Sequence, residues 1–278
     1  MRKLYIFTLN WNGVNHLKNL YPTLNDSLKN IDFEWLIKDN NSSDNSIQYL
    51  KELNDKRLNI ISYKNNLQNF SAGNNYLFNE ASPKEDDLIM LLNNDVIFND
   101  TKSINNMLNI IDNDSNVGVV GARLLYSQTN NLQHAGVVFN IQNKCPTHFR
   151  CGEESNINDT KNREFQVVTG AALITKAEYF KNVFTNNKSG VSGMDENYQW
   201  AFDDVDLCLA IKYNMEKKII YCGHTNIFHE ESPSLKKNPT NKLFSHHNVN
   251  YLLNKWSKRY SLDQILYTSN NKYNLYRE

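Results

Sequence analysis

Leu88-Ile89-Met90-Leu91-Leu92-Asn93-Asn94-Asp95-Val96-Ile97 is the stretch on which the fold turns. An unbroken apolar run, Leu88 to Leu92, has the character of a strand covered on both faces. It stops at two amides and a carboxylate, and the apolar pattern resumes at Val96. Open α/β sheets bind ligands at the carboxyl ends of their strands, which is where Asp95 would stand. A hard divalent cation carrying a diphosphate needs only one or two protein carboxylates, since phosphate oxygens fill other positions. The plainer alternative is a surface turn between two strands.

Working outward, the first hundred residues alternate strand and helix. Leu4–Leu9, Phe33–Ile37 and Leu58–Tyr63 have strand character. Leu17, Leu20, Leu24 and Leu28 fall on one helical stripe. Helices are expected from Asp44, as cap, to Leu53, and from Ser71 to Ala81. A βαβαβαβ order predicts a mostly parallel, Rossmann-like sheet with helices on both faces. Beyond Thr101 the pattern becomes mixed. A helix is expected near Ile104–Ile111 and a strand over Val117–Gly121. Short strands follow near Leu132–Phe139, and another over Phe165–Thr175 is interrupted by Gly170. A helix over Asp204–Tyr213, strands at Ile219–Tyr221 and Thr225–Phe228, and a helix over Thr240–Trp256 complete the reading. With no Pro- or Gly-rich linker, residues 1–100 and 101–235 are expected to be two halves of one domain, with 236–278 as a helical extension.

Composition excludes several classes. Lys+Arg and Asp+Glu both number 30, so net charge offers nothing to a nucleic acid. Cys145, Cys151, Cys208 and Cys222 form no C-x-x-C pair, which argues against zinc and thiol redox chemistry. Cys145 and Cys151 could bridge, but a chain of this size does not need it. No apolar run reaches membrane-spanning length, and Leu4–Leu9 is too short for a signal peptide. A reducing, cytoplasmic setting is the expectation.

Three strand ends carry polar groups: Thr8 to Asn12, Asp39 to Asp44, and Asn93 to Asp95. A parallel sheet brings them to one edge. There Asp39 could accept from the imide of uracil or thymine, unless residues 39–43 are only an Asx turn. The turn before Ser71 offers backbone N–H groups to phosphate. In Trp200-Ala201-Phe202-Asp203-Asp204-Val205-Asp206, Asp203 and Asp206 read as a capping box. Alternatively, Asp204 serves as a general base. His229, after a strand, is either a surface residue or a metal ligand through neutral imidazole.

These segments together resemble family 2 glycosyltransferases of the GT-A fold, and within them the rhamnosyltransferase-like enzymes of bacterial surface-polysaccharide synthesis, among them those that build capsule and O-antigen. Asp39-Asn40-Asn41-Ser42-Ser43-Asp44 is similar to the family's DNxSxD turn, and Asn66 to Asn75 to its NxGFAGGNN segment. Leu92-Asn93-Asn94-Asp95 is similar to LNND, the Phe202–Leu209 run to (E/N)DVDxCLR, and His229-Glu230-Glu231-Ser232 to H(E)xxS. Gln133–Val138, His148–Gly152 and Val168–Ala171 are similar to segments of one subgroup.

The resemblance implies a metal-dependent, inverting hexosyltransferase. The donor would be a UDP- or dTDP-sugar, dTDP-rhamnose included, and the acceptor a glycan or lipid-linked glycan. Thr8, Asn10, Asp39, Asn66, Asn74 and Asn94 would bind the nucleotide. Asp95 and His229 would hold Mg²⁺ or Mn²⁺, and Asp204 would deprotonate the acceptor hydroxyl. His148, Arg150, Gly170, Trp200 and Asp203 would lie near the donor or acceptor sugar. One departure from the usual motif is that Asn93 and Asn94 leave Asp95 as its lone acid, so metal is expected to arrive with the nucleotide. Two other classes compete: a non-catalytic nucleotide- or carbohydrate-binding protein, and a sugar nucleotidyltransferase. The latter is disfavoured because Asn10-Trp11-Asn12-Gly13 is not a glycine-rich basic loop. The acid-free stretch Ser232–Leu262, with Lys236, Lys237, Lys242, Lys255, Lys258 and Arg259, is expected to meet an anionic inner leaflet. Oligomeric state is not legible.

Overall fold

The structure is a computed structural model. It describes residues 2–62, 69–139, 145–199, 201–230, 239–256, 259–261, 265–267 and 273–275, without side chains for 239–246 and for the last two segments. The expected alternation is present: β1 (Leu4–Asn10), α1 (Val14–Ser27), β2 (Phe33–Asp39), α2 (Ser46–Glu52), β3 (Leu58–Ser62), α3 (Phe70–Ala81) and β4 (Leu88–Leu92). Next come β5 (Val96–Phe98), α4 (Ser103–Asn113), β6 (Val117–Leu125), β7 (Leu132–His134), β8 (Val137–Phe139) and β9 (Pro146–His148). The remaining elements are β10 (Arg163–Phe165), β11 (Ala172–Lys176), α5 (Ala177–Asn182), α6 (Asp203–Asn214), β12 (Lys218–His229), α7 (Pro239–Trp256), β13 (Ile265–Tyr267) and β14 (Tyr273–Leu275).

One ten-stranded sheet runs β10-β12-β6-β11-β4-β1-β2-β3, with β5 paired to β12 and β7 to β6. Strands β4, β1, β2 and β3 are mutually parallel. Strand β11 is antiparallel to both β4 and β6 and joins the two halves of the chain into one sheet. All five residues of β4 are buried, as a central strand with helices on both faces requires. The leucine stripe of α1 packs with Trp35, Met90 and Ile104 on one face. Leu77 of α3, Phe180 of α5 and Leu207 of α6 pack with Phe7 and Leu173 on the other.

Several expectations change. Residues 93–95 are indeed a turn, between β4 and β5, so the plainer reading of that stretch describes the backbone correctly. Only Ala172–Lys176 of the Phe165–Thr175 run pairs centrally, while Phe165 ends the edge strand β10. Two strands expected over 219–228 are one strand, irregular between Cys222 and Ile227. Asn45 occupies the N-cap position of α2 without a side-chain bond; Asp44 Oδ1 accepts from the Ser46 amide at 3.0 Å, as a cap would, and its Oδ2 from the Val14 amide at 3.0 Å, so one carboxylate serves the first turns of both α2 and α1. The capping box is absent, because α6 begins at Asp203 and the Asp206 carboxylate turns inward to Tyr198, Lys255 and Trp256.

All four cysteines are free. Among the described residues no helix is long and apolar enough to cross a membrane. Two cations of the basic C-terminal stretch have partners within the protein. Lys255 is spent on Asp195 and Asp206, and Arg259 on Asn214 and the Tyr213 carbonyl. The side chains of Lys236, Lys237, Lys242 and Lys258 lie outside the described residues.

Candidate active site

The parallel strands deliver their polar ends to one edge. At the end of β1, Asn10 donates to Asp39 Oδ2 at 2.9 Å and accepts from the Asn94 amide at 2.8 Å. One asparagine therefore ties the ends of β2 and β1 to the turn after β4. Asp39 is buried and also accepts from the Ser42 amide (2.8 Å) and hydroxyl (2.7 Å), so its carboxylate holds the loop that follows β2. Asn12 sits in the left-handed region and its side chain accepts from the Ser43 amide at 2.7 Å, joining the two loops. Trp11, 59% exposed, stands beside them.

Two residues expected at the nucleotide, Thr8 and Asn74, have their side chains bonded within the protein. The Thr8 hydroxyl is buried and accepts from the Trp35 indole at 2.9 Å, because it lies on the core-facing side of β1. Asn74 is buried and donates back to the Phe70 carbonyl of its own helix. Asn66 lies outside the described residues, as does Trp200.

The turn after β4 and the end of β12 meet. Val96 pairs with His229, and the Asp95 carbonyl accepts from the Glu230 amide at 3.0 Å. This register brings His229 Nε2 to 3.0 Å from Asp95 Oδ1 and 3.2 Å from the Asn93 carboxamide nitrogen. On the other ring edge His229 Nδ1 lies 2.6 Å from Gln133 Oε1, while Gln133 Nε2 donates to the His229 carbonyl at 3.1 Å. Among the described residues no three metal-ligating side chains converge. One carboxylate and one imidazole nitrogen suit a cation that takes its remaining oxygens from a diphosphate.

The second acidic group lies across a short segment. Ala201 and Phe202 both adopt positive φ, a strained approach that sets the direction of α6. Asp204, half-buried at the helix start, accepts from the Gly170 amide at 2.8 Å and its Oδ1 from the Val205 amide at 2.9 Å. Asp203 points the other way, into the protein, and accepts from the Ser71 hydroxyl at 2.7 Å. Burial pushes its carboxyl up to about 7; the Ser71 bond opposes this and the Asp204 charge adds to it.

Residues 169–171, of which the sequence singled out Gly170, connect these groups through their backbone. The Thr169 amide donates to His134 Nε2 at 3.3 Å, the Gly170 amide holds Asp204, and the Ala171 carbonyl accepts from the Asn93 amide at 2.9 Å. A side chain at Gly170 would press on the Cβ of Asp204, 3.1 Å away. Since His134 Nε2 accepts, its Nδ1 carries the proton and donates to His148 Nδ1 at 2.8 Å. Burial holds His134 far below the usual imidazole range, with His148 and His229 adding to the effect. His148 is thus oriented at the surface by a buried neutral ring. The Arg150 guanidinium is bonded to Glu153, Asp159 and the Glu154 carbonyl.

Comparison with known proteins places this arrangement. The chain is similar in structure to Staphylococcus aureus TarS 1–349 in complex with UDP-GlcNAc, with a TM-score of 0.60 and 11% identity, over 91% of this chain and 67% of that one. The UDP complex of the same TarS piece gives 0.56 at 13% identity, over 92% and 72%. A longer TarS structure gives 0.56 at 12% identity, with 92% of this chain covering 44% of it. These likenesses are of fold, the GT-A type. No curated protein matched the sequence. The profile described as Glycosyl transferase family 2 matches residues 11–184, more than half of the chain. The protein belongs to glycosyl transferase family 2 and is a nucleotide-sugar-dependent glycosyltransferase.

Proposed function

We propose that the chain transfers a hexosyl group from a UDP- or dTDP-sugar, dTDP-rhamnose included, to a hydroxyl of a glycan or lipid-linked glycan, with inversion. The observation that carries this reading is the Asp95–His229 pair, 3.0 Å apart at the carboxyl edge of the sheet. Asp204 is tethered to the same turn through residues 170–171. The UDP-GlcNAc held by TarS makes uridine donors the first to test. Asn10, Asp39 and Asn94 form the nucleoside side of the site. Asp95 and His229 would hold Mg²⁺ or Mn²⁺, which supplies Lewis-acid neutralisation of the departing diphosphate.

Asp204 takes the proton of the acceptor hydroxyl. That oxygen's electron pair forms the bond to the anomeric carbon as the bond from this carbon to the diphosphate breaks. The nucleoside diphosphate leaves with the pair, and a single displacement inverts the configuration. Gly170 keeps Asp204 aimed, because no side chain intervenes between its amide and the carboxylate.

Thermal melts with UDP and dTDP, with and without Mn²⁺, test the donor half. A ligand bound only by the folded state raises Tm. A Mn²⁺-dependent rise, lost in Asp95→Ala, is expected; no rise with any nucleotide would leave a protein that binds something else. Asp204→Asn is expected to keep that rise while slowing nucleoside diphosphate release about 10²–10⁴-fold. Near-normal turnover in Asp204→Asn would remove it as the base.

A further inference from the structure

Gln133 stands in a motif with no role in the reaction above, yet it makes the closest contact to the imidazole of His229. It is buried on β7, and its carboxamide makes two bonds to one residue. Its nitrogen donates to the His229 carbonyl at 3.1 Å, which fixes the orientation of the amide. The oxygen therefore faces His229 Nδ1 at 2.6 Å and must accept from it. A neutral ring is thus the Nδ1–H tautomer, and its Nε2 presents a lone pair. The Asn93 carboxamide donating to Nε2 at 3.2 Å agrees with that assignment.

The consequence lies on the Asp95 side. A lone pair on Nε2 faces a carboxylate oxygen 3.0 Å away, an arrangement that favours a cation between them. The other tautomer would place Nε2–H against Asp95 and close the pair to metal. We propose that Gln133 is the positioning residue of this site: by accepting from Nδ1 it denies His229 the tautomer that would bond to Asp95, and so keeps Nε2 available as a ligand atom. This rests on the reading of Asp95 and His229 as metal ligands. Partners of this kind around metal-bound histidines are worth about 10–100-fold in metal affinity.

The test compares Gln133→Met, similar in volume but unable to accept well, with Gln133→Glu, which still accepts from Nδ1–H. In metal-free protein labelled with ¹⁵N-histidine, the His229 tautomer is read by NMR and assigned with His229→Ala. Wild type and Gln133→Glu are expected as Nδ1–H, and Gln133→Met as Nε2–H. Mn²⁺ binding in the presence of UDP, followed by electron paramagnetic resonance, is expected to weaken about 10–100-fold in Gln133→Met and to stay near wild type in Gln133→Glu. If Asp95→Ala and His229→Ala abolish Mn²⁺ binding while Gln133→Met keeps both tautomer and affinity, the role of Gln133 is overturned alone. If Asp95→Ala and His229→Ala bind Mn²⁺ as wild type does, the metal-site reading fails and takes this proposal with it. Should Gln133→Met not fold, Gln133→Glu decides: Nδ1–H supports the proposal, and Nε2–H overturns it.

Discussion

Gly13 has no room for a methyl group. A Cβ there would overlap both Asn10 Oδ1 and Asn94 Nδ2, the two atoms whose bond joins β1 to the turn after β4. Gly13→Ala is therefore expected to cost about 1–3 kcal/mol in urea denaturation. It should also weaken Mn²⁺–UDP binding measured by calorimetry, since Asn94 adjoins Asp95. A variant that binds as wild type does would show the Asn10–Asn94 bond to be irrelevant to the donor site. At this scale the sequence was informative where chemistry sits at a strand end: Asn10, Asp39 and Asn94 do join in one network. It did not disclose the internal partners of Thr8 and Arg150, because residue type does not say which way a side chain points. Thr8 faces the core, and Arg150 is surrounded by Glu153 and Asp159, which a linear motif does not bring into view.

Helix α6 carries Asp204 but does not hold itself in place. Lys255 of α7 reaches Asp195 at 2.7 Å and Asp206 at 2.9 Å, and the Trp256 indole donates to Asp206 at 2.7 Å. Asn248 of α7 accepts from the Gln199 amide and donates to the Ala201 carbonyl, bracketing the strained residues before α6. Removing the cation from two buried carboxylates is costly. Lys255→Met is expected to destabilise the fold by about 3 kcal/mol in denaturant titration and to lower turnover more than donor affinity. Equal loss of both would mean that α7 supports the whole molecule and not α6 in particular. Helix α1 was legible from its leucine spacing and β4 from its apolar run. Helix α5, six residues, was not, because so short a segment displays no period.

Across the molecule, β11 lies antiparallel between β4 and β6, so the parallel half and the mixed half share one continuous sheet. The parallel half was legible because each strand alternates with a helix. The mixed half was not, because its pairings link strands far apart in the chain. Global stability should also report on Asp203. Below about pH 3.8 folded and unfolded chains both hold its proton; from there to about 7 only the folded chain does. Stability contributed by this group therefore falls as pH rises through that window and is level above it. Asp203→Asn, which keeps an acceptor for Ser71, should remove that fall and raise Tm at pH 8 by about 2–4 °C. An unchanged melt at pH 8 would contradict it.

The docking of α7 on α6 has a consequence in time. Residues 248–256 leave the ribosome after Asp204, so the acidic end of α6 is made first and braced last. A nascent chain that has completed the nucleotide-binding strands still lacks the contacts that set Asp204, and donor binding should be acquired earlier in synthesis than transfer. Activity is thereby tied to synthesis of α7, and a product truncated before it would bind nucleotide-sugar without passing it on.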